Sequence, residues 1–346
     1  MSSKKTFRRN RSRRLRVALC ILIALAAVAV VLIAYSLSKK PGDPSSPTPT
    51  PDNPEGTTST TLAPTTTTTL PVLSDETVAA LHTSLTARND LLYDVTNDRV
   101  LYANATGEAC YPASLTKMMT AAVAAKYATE EPFTVGREVY LKDPQASSAY
   151  LKIGMQLTLP QMLQALLLPS GGDAAYCLGV TTVMRLYPEE ELSNFEAAMR
   201  FCDLMNEELA AIGAKNSFFV NPDGMYHTNH VTTPEDMLKI LQFALSFEDV
   251  RTAMSSPSVS FTTVDGKELT YINTNRLLNR NTAYYYPYCT GGKTGYTDEA
   301  GYCLASTAQK DGVELIAIVF GCAEENARFT ESVTLFNSGF ALNAVS

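Results

Sequence analysis

The hydrophobic positions of the 346-residue chain fall into three regimes. From Val17 to Leu37 they run without a single charge for 21 residues. A membrane-spanning helix needs about 20 such residues. From 38 to 73 they thin out into Pro, Thr, Ser, Gly and Asp, with Thr65 to Thr69 in an unbroken row. Such a segment cannot bury enough apolar surface to offset its ordering entropy, and it reads as an extended, disordered stalk. From 74 to 346 helical and strand spacings alternate, which predicts a single globular domain.

Within that domain the first predicted helix covers Asp75 to Ala87. Leu91 to Asp94 and Val100 to Ala103 alternate as strands around Thr96-Asn97-Asp98, a hairpin. Pro112 and Ser114 lead into an apolar helix through Met118, Met119 and Ala121 to Ala125. Pro132 to Asp143 is loop-like, with a short strand expected at Glu138 to Tyr140. Leu157 to Leu168 is a second apolar helix, and Thr158 with Gln161 forms a capping-box pattern at its start. Residues 169–173 are a tight loop, and Asp173 is expected to cap a helix from Ala174 to Tyr187. Helices over Ser193 to Ile212 and Pro234 to Ser246 flank an Asn221-Pro222-Asp223-Gly224 turn.

Strands then return at Val259 to Val264, Leu269 to Ile272, Gly291 to Tyr296, Tyr302 to Ala308 and Val313 to Phe320, read as one antiparallel meander. Phe329, Val333 and Phe336 form an i, i+4, i+7 stripe on a last helix suited to packing on a sheet. Early strands, central helices and late strands predict an α+β fold: an antiparallel sheet with flanking helices and an inserted helical subdomain.

Charge sharpens the division. Residues 1–16 hold eight basic residues and no acid, which leaves 20 basic against 35 acidic residues beyond them. An acidic body argues against a nucleic-acid partner. The basic tail ahead of the apolar run places the N-terminus in the cytoplasm and the domain outside. The run is longer than the apolar core of a signal peptide, and Ala34-Tyr35-Ser36 is the one small-x-small site near its end, so an uncleaved signal-anchor is expected.

The candidate chemistry lies at the start of the first apolar helix. Ser114 and Lys117 sit three apart, close enough on a helix for hydroxyl and amine to meet. S-x-x-K alone is weak: Ser2/Lys5 and Ser36/Lys39 match it too. Its weight comes from two patterns further on, Ser170-Gly171-Gly172 in a loop between helices and Lys293-Thr294-Gly295 on a strand.

With these motifs in order, the stretch 75–346 resembles the serine-type D-alanyl-D-alanine carboxypeptidases, the low-molecular-weight penicillin-binding proteins. Pro112-Ala113-Ser114-Leu115-Thr116-Lys117, Leu166 to Ala175, Asn221-Pro222-Asp223-Gly224-Met225 and Gly292 to Thr297 carry the resemblance. It implies the sheet-and-helices fold shared with β-lactamases. It also implies Ser114 as nucleophile, Lys117 as general base and Ser170 as proton relay. Lys293, Thr294, Gly295 and Tyr296 are implied to bind substrate, with the N–H groups of Ser114 and Tyr296 as oxyanion hole. One departure stands out: the second motif usually reads Ser-x-Asn, and the third position here is Gly172.

A serine hydroxyl needs an adjacent base, and lysine serves only when neutral; burial and a second cation, Lys293, are the expected means. The implied substrate is the peptidoglycan stem peptide, and β-lactams are implied inhibitors. The rivals are a β-lactamase, for which no deacylating base is visible, and a non-catalytic β-lactam-sensing or wall-binding module with a degenerate second motif.

No cofactor is expected. His227 and His230 form H-x-x-H without a third ligand at zinc-site spacing and read as loop structure. Beyond Cys20, six cysteines allow 15 pairings, and no C-x-x-C occurs.

Overall fold

The computed structural model describes residues 72–343. The basic tail, the apolar run and nearly all of the stalk lie outside the described residues. Among the described residues no helix is long and apolar enough to cross a membrane.

Helix α1 (Asp75–Ser84) is followed by the hairpin β1 (Asn89–Asp94) and β2 (Arg99–Asn104). The late strands β7 (Cys289–Thr297), β8 (Gly301–Lys310) and β9 (Val313–Cys322) complete a five-stranded antiparallel sheet in the order β2-β1-β9-β8-β7. The chain therefore closes its sheet by laying β9 against β1, across more than 200 residues. Between them stand α2 (Lys117–Lys126), the short paired strands β3 (Phe133–Thr134) and β4 (Gln156–Leu157), α3 (Leu159–Leu167), α4 (Gly172–Leu186), α5 (Asn194–Ala211), α6 (Pro234–Leu245) and α7 (Glu248–Ser255). Helix α8 (Ala327–Asn343) ends the described chain.

Strand alternation distributes the core to both faces of the sheet. On β9, Ile316, Ile318 and Phe320 join the inserted helices, while Leu315, Ala317 and Val319 join Phe329, Leu335, Phe336 and Phe340 of α8. The Phe329/Val333/Phe336 stripe thus packs where its spacing predicts. Both faces are covered, which is why β1 is buried along its whole length.

Four expectations are corrected. The segment at Glu138 to Tyr140 is a 3₁₀ turn, Arg137–Leu141, rather than a strand. The strands β5 (Ser258–Thr262) and β6 (Glu268–Ile272) form a separate two-stranded hairpin, because their alternation continues into no sheet partner. The short helix α7 was not expected; its mean polarity hides Val250, Ala253 and Met254, which are buried. Asp173 does not cap α4: Gly171 occupies that position with no side-chain cap. The capping boxes at Thr158/Gln161 and Ser193/Glu196 are both formed.

Candidate active site

Ser114 sits in a 3₁₀ turn, Ala113–Thr116, that runs directly into α2 at Lys117. Ala113, just before it, has φ of +46°, a left-handed conformation that a residue with a Cβ adopts only under constraint. The constraint is visible. The Thr116 hydroxyl donates to the Ala113 carbonyl at 2.8 Å and accepts from His230 Nε2 at 2.8 Å, while His230 Nδ1 accepts from the Val220 N–H at 3.2 Å. This pattern requires a neutral imidazole with its proton on Nε2. Burial pushes the His230 pKa down to about 3, in keeping with that state. His230 is thus a buried brace for the Ser114 turn, and among the described residues no cluster of His, Cys, Asp or Glu could hold a metal. The Asn221–Gly224 turn packs against the same spot: a Cβ on Gly224 would lie 1.9 Å from the Ala113 carbonyl oxygen.

Lys117 is buried, and its Nζ lies 2.9 Å from Ser114 Oγ and 2.5 Å from the main-chain carbonyl oxygen of Asp223. Burial lowers its pKa to about 8, against the opposing pull of the Asp223 and Asp173 carboxylates, with Lys142 adding to the depression. The sequence predicts two causes, burial and Lys293 as a second cation. Desolvation is the larger effect for both lysines, and the Lys293 pKa is driven well down by burial first, then by Lys117 and Arg328.

Ser170 also has a left-handed backbone, with φ of +65°. Lys293 Nζ donates to Ser170 Oγ at 2.9 Å and to the Thr294 carbonyl at 2.8 Å. The Thr294 and Thr274 hydroxyls are 2.7 Å apart. Ser114, Ser170, Thr294, Gly295 and Tyr296 line one cleft of about 430 Å³, with the two lysines buried behind it. The three sequence motifs, separated by more than 170 residues, therefore converge. The Tyr296 ring stacks on Tyr302, with centroids 4.3 Å apart, and its hydroxyl donates to Asp298 at 2.7 Å.

Several residues of the cleft carry no signal in the sequence. Arg276 and Arg328 line the same cleft, and Arg328 Nη1 donates to the Gly295 carbonyl at 3.1 Å. No local pattern marks Arg328; only the docking of α8 brings it to β7. Asp173 accepts from Ser148 Oγ and the Ala149 N–H at 2.8 Å and from the Leu151 N–H at 2.9 Å, tying the 148–151 segment to the helix that begins beside Ser170.

Comparison with known proteins identifies the family and the fold. The family model for D-alanyl-D-alanine carboxypeptidase matches residues 75–324. The D-alanyl-D-alanine carboxypeptidase DacF of Bacillus subtilis is 29% identical over 252 residues, covering 71% of this chain and 60% of that protein. The D-alanyl-D-alanine carboxypeptidase of Streptomyces sp. strain K15 is 30% identical over 255 residues, covering 70% of this chain and 83% of that protein. The crystal structure of the Streptomyces K15 DD-transpeptidase superposes with a TM-score of 0.68 at 28% identity, covering 75% of this chain and 98% of that one.

Proposed function

Because the chain belongs to the D-alanyl-D-alanine carboxypeptidase family, we propose that it releases the terminal D-Ala of peptidoglycan stem peptides through an acyl-enzyme on Ser114. The observation that carries this reading is the pair of 2.9 Å contacts, Lys117 to Ser114 and Lys293 to Ser170, opening on one cleft.

Neutral Lys117 takes the Ser114 proton as Oγ bonds to the penultimate D-Ala carbonyl carbon, and the carbonyl π pair moves to oxygen. The main-chain N–H groups of Ser114 and Tyr296 stabilise that oxyanion. Ser170, held by Lys293, gives its proton to the departing D-Ala amine as the C–N bond breaks and takes up the one carried by Lys117, which is neutral again for the hydrolytic step. Water then attacks the ester and regenerates Ser114. Strand β7 is the edge of the sheet, so an extended peptide can lie along it as an added strand. Lys293, Thr294 and the permanent charge of Arg328 suit a terminal carboxylate at that edge. A β-lactam carries the same carbonyl and carboxylate and acylates Ser114 without ready release.

The apolar run 17–37 behind a basic tail supports a single-pass anchor, with the catalytic domain outside the cell on the 38–73 stalk. Protease treatment of intact cells is expected to remove the domain and leave the tail.

The decisive assay is D-Ala release from a diacyl-Lys-D-Ala-D-Ala peptide by the full chain in detergent. Release that disappears in Ser114→Ala is the expected result. A folded wild-type protein that is acylated by benzylpenicillin but frees no D-Ala would overturn the carboxypeptidase reading in favour of a sensor. Rapid turnover of benzylpenicillin would mark a β-lactamase.

A further inference from the structure

Gly172, the third residue of the second motif, has no side chain to offer Lys117, yet the space beside it is not empty. A Cβ built on Gly172 would lie 3.0 Å from Asp223 Oδ2 and 3.2 Å from the Ser147 carbonyl oxygen. The Asp223 carboxylate therefore stands where a side chain at 172 would enter. It is almost wholly buried, and Oδ2 has no hydrogen-bond partner. Its Oδ1 accepts a long bond, 3.4 Å, from the Met225 N–H. A buried carboxylate oxygen left unpaired costs roughly 1–3 kcal/mol or more, so its persistence asks for a use.

The use is close by. The main chain of this same residue holds Lys117 Nζ, 2.5 Å from the Asp223 carbonyl oxygen. Among the charged groups acting on Lys117, Asp223 is the foremost one favouring its ammonium form, ahead of Asp173 from α4, while Lys142 opposes them. Burial raises the Asp223 carboxyl pKa, with Asp143 adding to it, and Lys117 is the foremost group opposing that rise and favouring the ionised form.

We propose that Asp223 is the positioning residue for Lys117 in this chain, its carboxylate filling the gap at Gly172 and balancing the ammonium that forms when Ser114 gives up its proton. The inference rests on the acyl-enzyme reading above. In the resting state Lys117 is held between Ser114 and the Asp223 carbonyl. As the proton moves from Ser114 Oγ to Lys117 Nζ, a positive charge appears in a buried site, and the nearby carboxylate offsets it without moving. Residues 172 and 223 then form an exchangeable pair: a polar side chain at one position requires its absence at the other.

The test uses the full chain in detergent, with two readouts: the pH dependence of acylation by benzylpenicillin, and the titration of the Lys117 side-chain amine by ¹⁵N NMR, assigned by its loss in Lys117→Met. In Asp223→Asn the Lys117 inflection is expected to move to lower pH, and maximal acylation to fall by about tenfold, the scale of one charge-assisted contact. KM for the peptide is expected to stay unchanged, because Asp223 does not line the cleft. Gly172→Asn alone is expected to lose acylation, and Gly172→Asn with Asp223→Ala to recover most of what Asp223→Ala loses. An unmoved Lys117 inflection in folded Asp223→Asn overturns the proposal, as does full activity in Gly172→Asn. A wild-type protein that neither acylates nor releases D-Ala counts against the acyl-enzyme reading instead, and the NMR titration still decides the part played by Asp223.

Discussion

At the scale of the residue, the same burial that holds the site together sets its pH behaviour. The proposed base, Lys117, can accept a proton only when neutral, and burial brings its pKa down to about 8. Acylation of Ser114 is therefore expected to rise with pH and to level off above about 8, a profile that stopped-flow acylation by a fluorescent penicillin would record. A profile flat from pH 6 to 10 would exclude Lys117 as the base. Asp90 on β1 carries the opposite sign. Burial raises its carboxyl to about 7, eased by the Asn104 amide and aggravated by Glu331, and its Oδ1 has no partner. The folded protein thus keeps this proton to a higher pH than the unfolded chain. Its stabilising contribution is full below pH about 4 and is lost as the pH rises through about 7. Asp90→Asn is expected to stabilise the protein by roughly 2–4 kcal/mol at pH 8 and much less at pH 4, read from urea unfolding at the two pH values.

At the scale of the element, caps and their imitators behave differently. Ser193 accepts from the Glu196 N–H while the Glu196 carboxylate accepts from the Ser193 N–H, so α5 starts as its sequence predicts. Asp173 has the composition of a cap but performs another task, binding the 148–151 segment to α4 through two main-chain N–H groups and a hydroxyl. Asp173→Ala is expected to cost about 3–5 kcal/mol, because it strands these donors in a buried place. It should also slow acylation by loosening the loop around Ser170. Hydrogen exchange at Ala149 and Leu151 is the measurement; exchange unchanged from wild type would show that the segment is held by other contacts.

At the scale of the whole molecule, one sheet serves two cores, the inserted helices on one face and α1 with α8 on the other. Phe336 is fully buried in the smaller core and stacks on Tyr286. Phe336→Ala is expected to cost about 3–5 kcal/mol, and activity should fall with it at elevated temperature because α8 also carries Arg328 to the cleft. Differential scanning calorimetry with a parallel D-Ala assay tests both. All six cysteines of the described residues are free, four of them buried. None of the 15 conceivable pairings is made, so dithiothreitol is expected to leave the melting temperature unchanged.

What the sequence determined by itself was everything whose cause is local or rests on a short pattern. The capping boxes, the β1–β2 hairpin, the β7–β8–β9 meander and the α8 stripe all follow from periodicity and end signals a few residues apart. Ser114, Ser170 and Lys293 were legible because each lies in a compact motif. The same logic misread β5 and β6 as part of the sheet, since alternation shows that a strand has two faces but not which strand lies beside it. Tertiary structure alone decided the rest. It laid β9 on β1, buried Lys117 deeply enough to bring its pKa down to about 8, turned His230 into a brace and brought Arg328 to Gly295. It also set the Asp223 carboxylate against the bare Gly172. Each of these depends on groups far apart in the chain, where desolvation and hydrogen bonding act only once folding has brought them together.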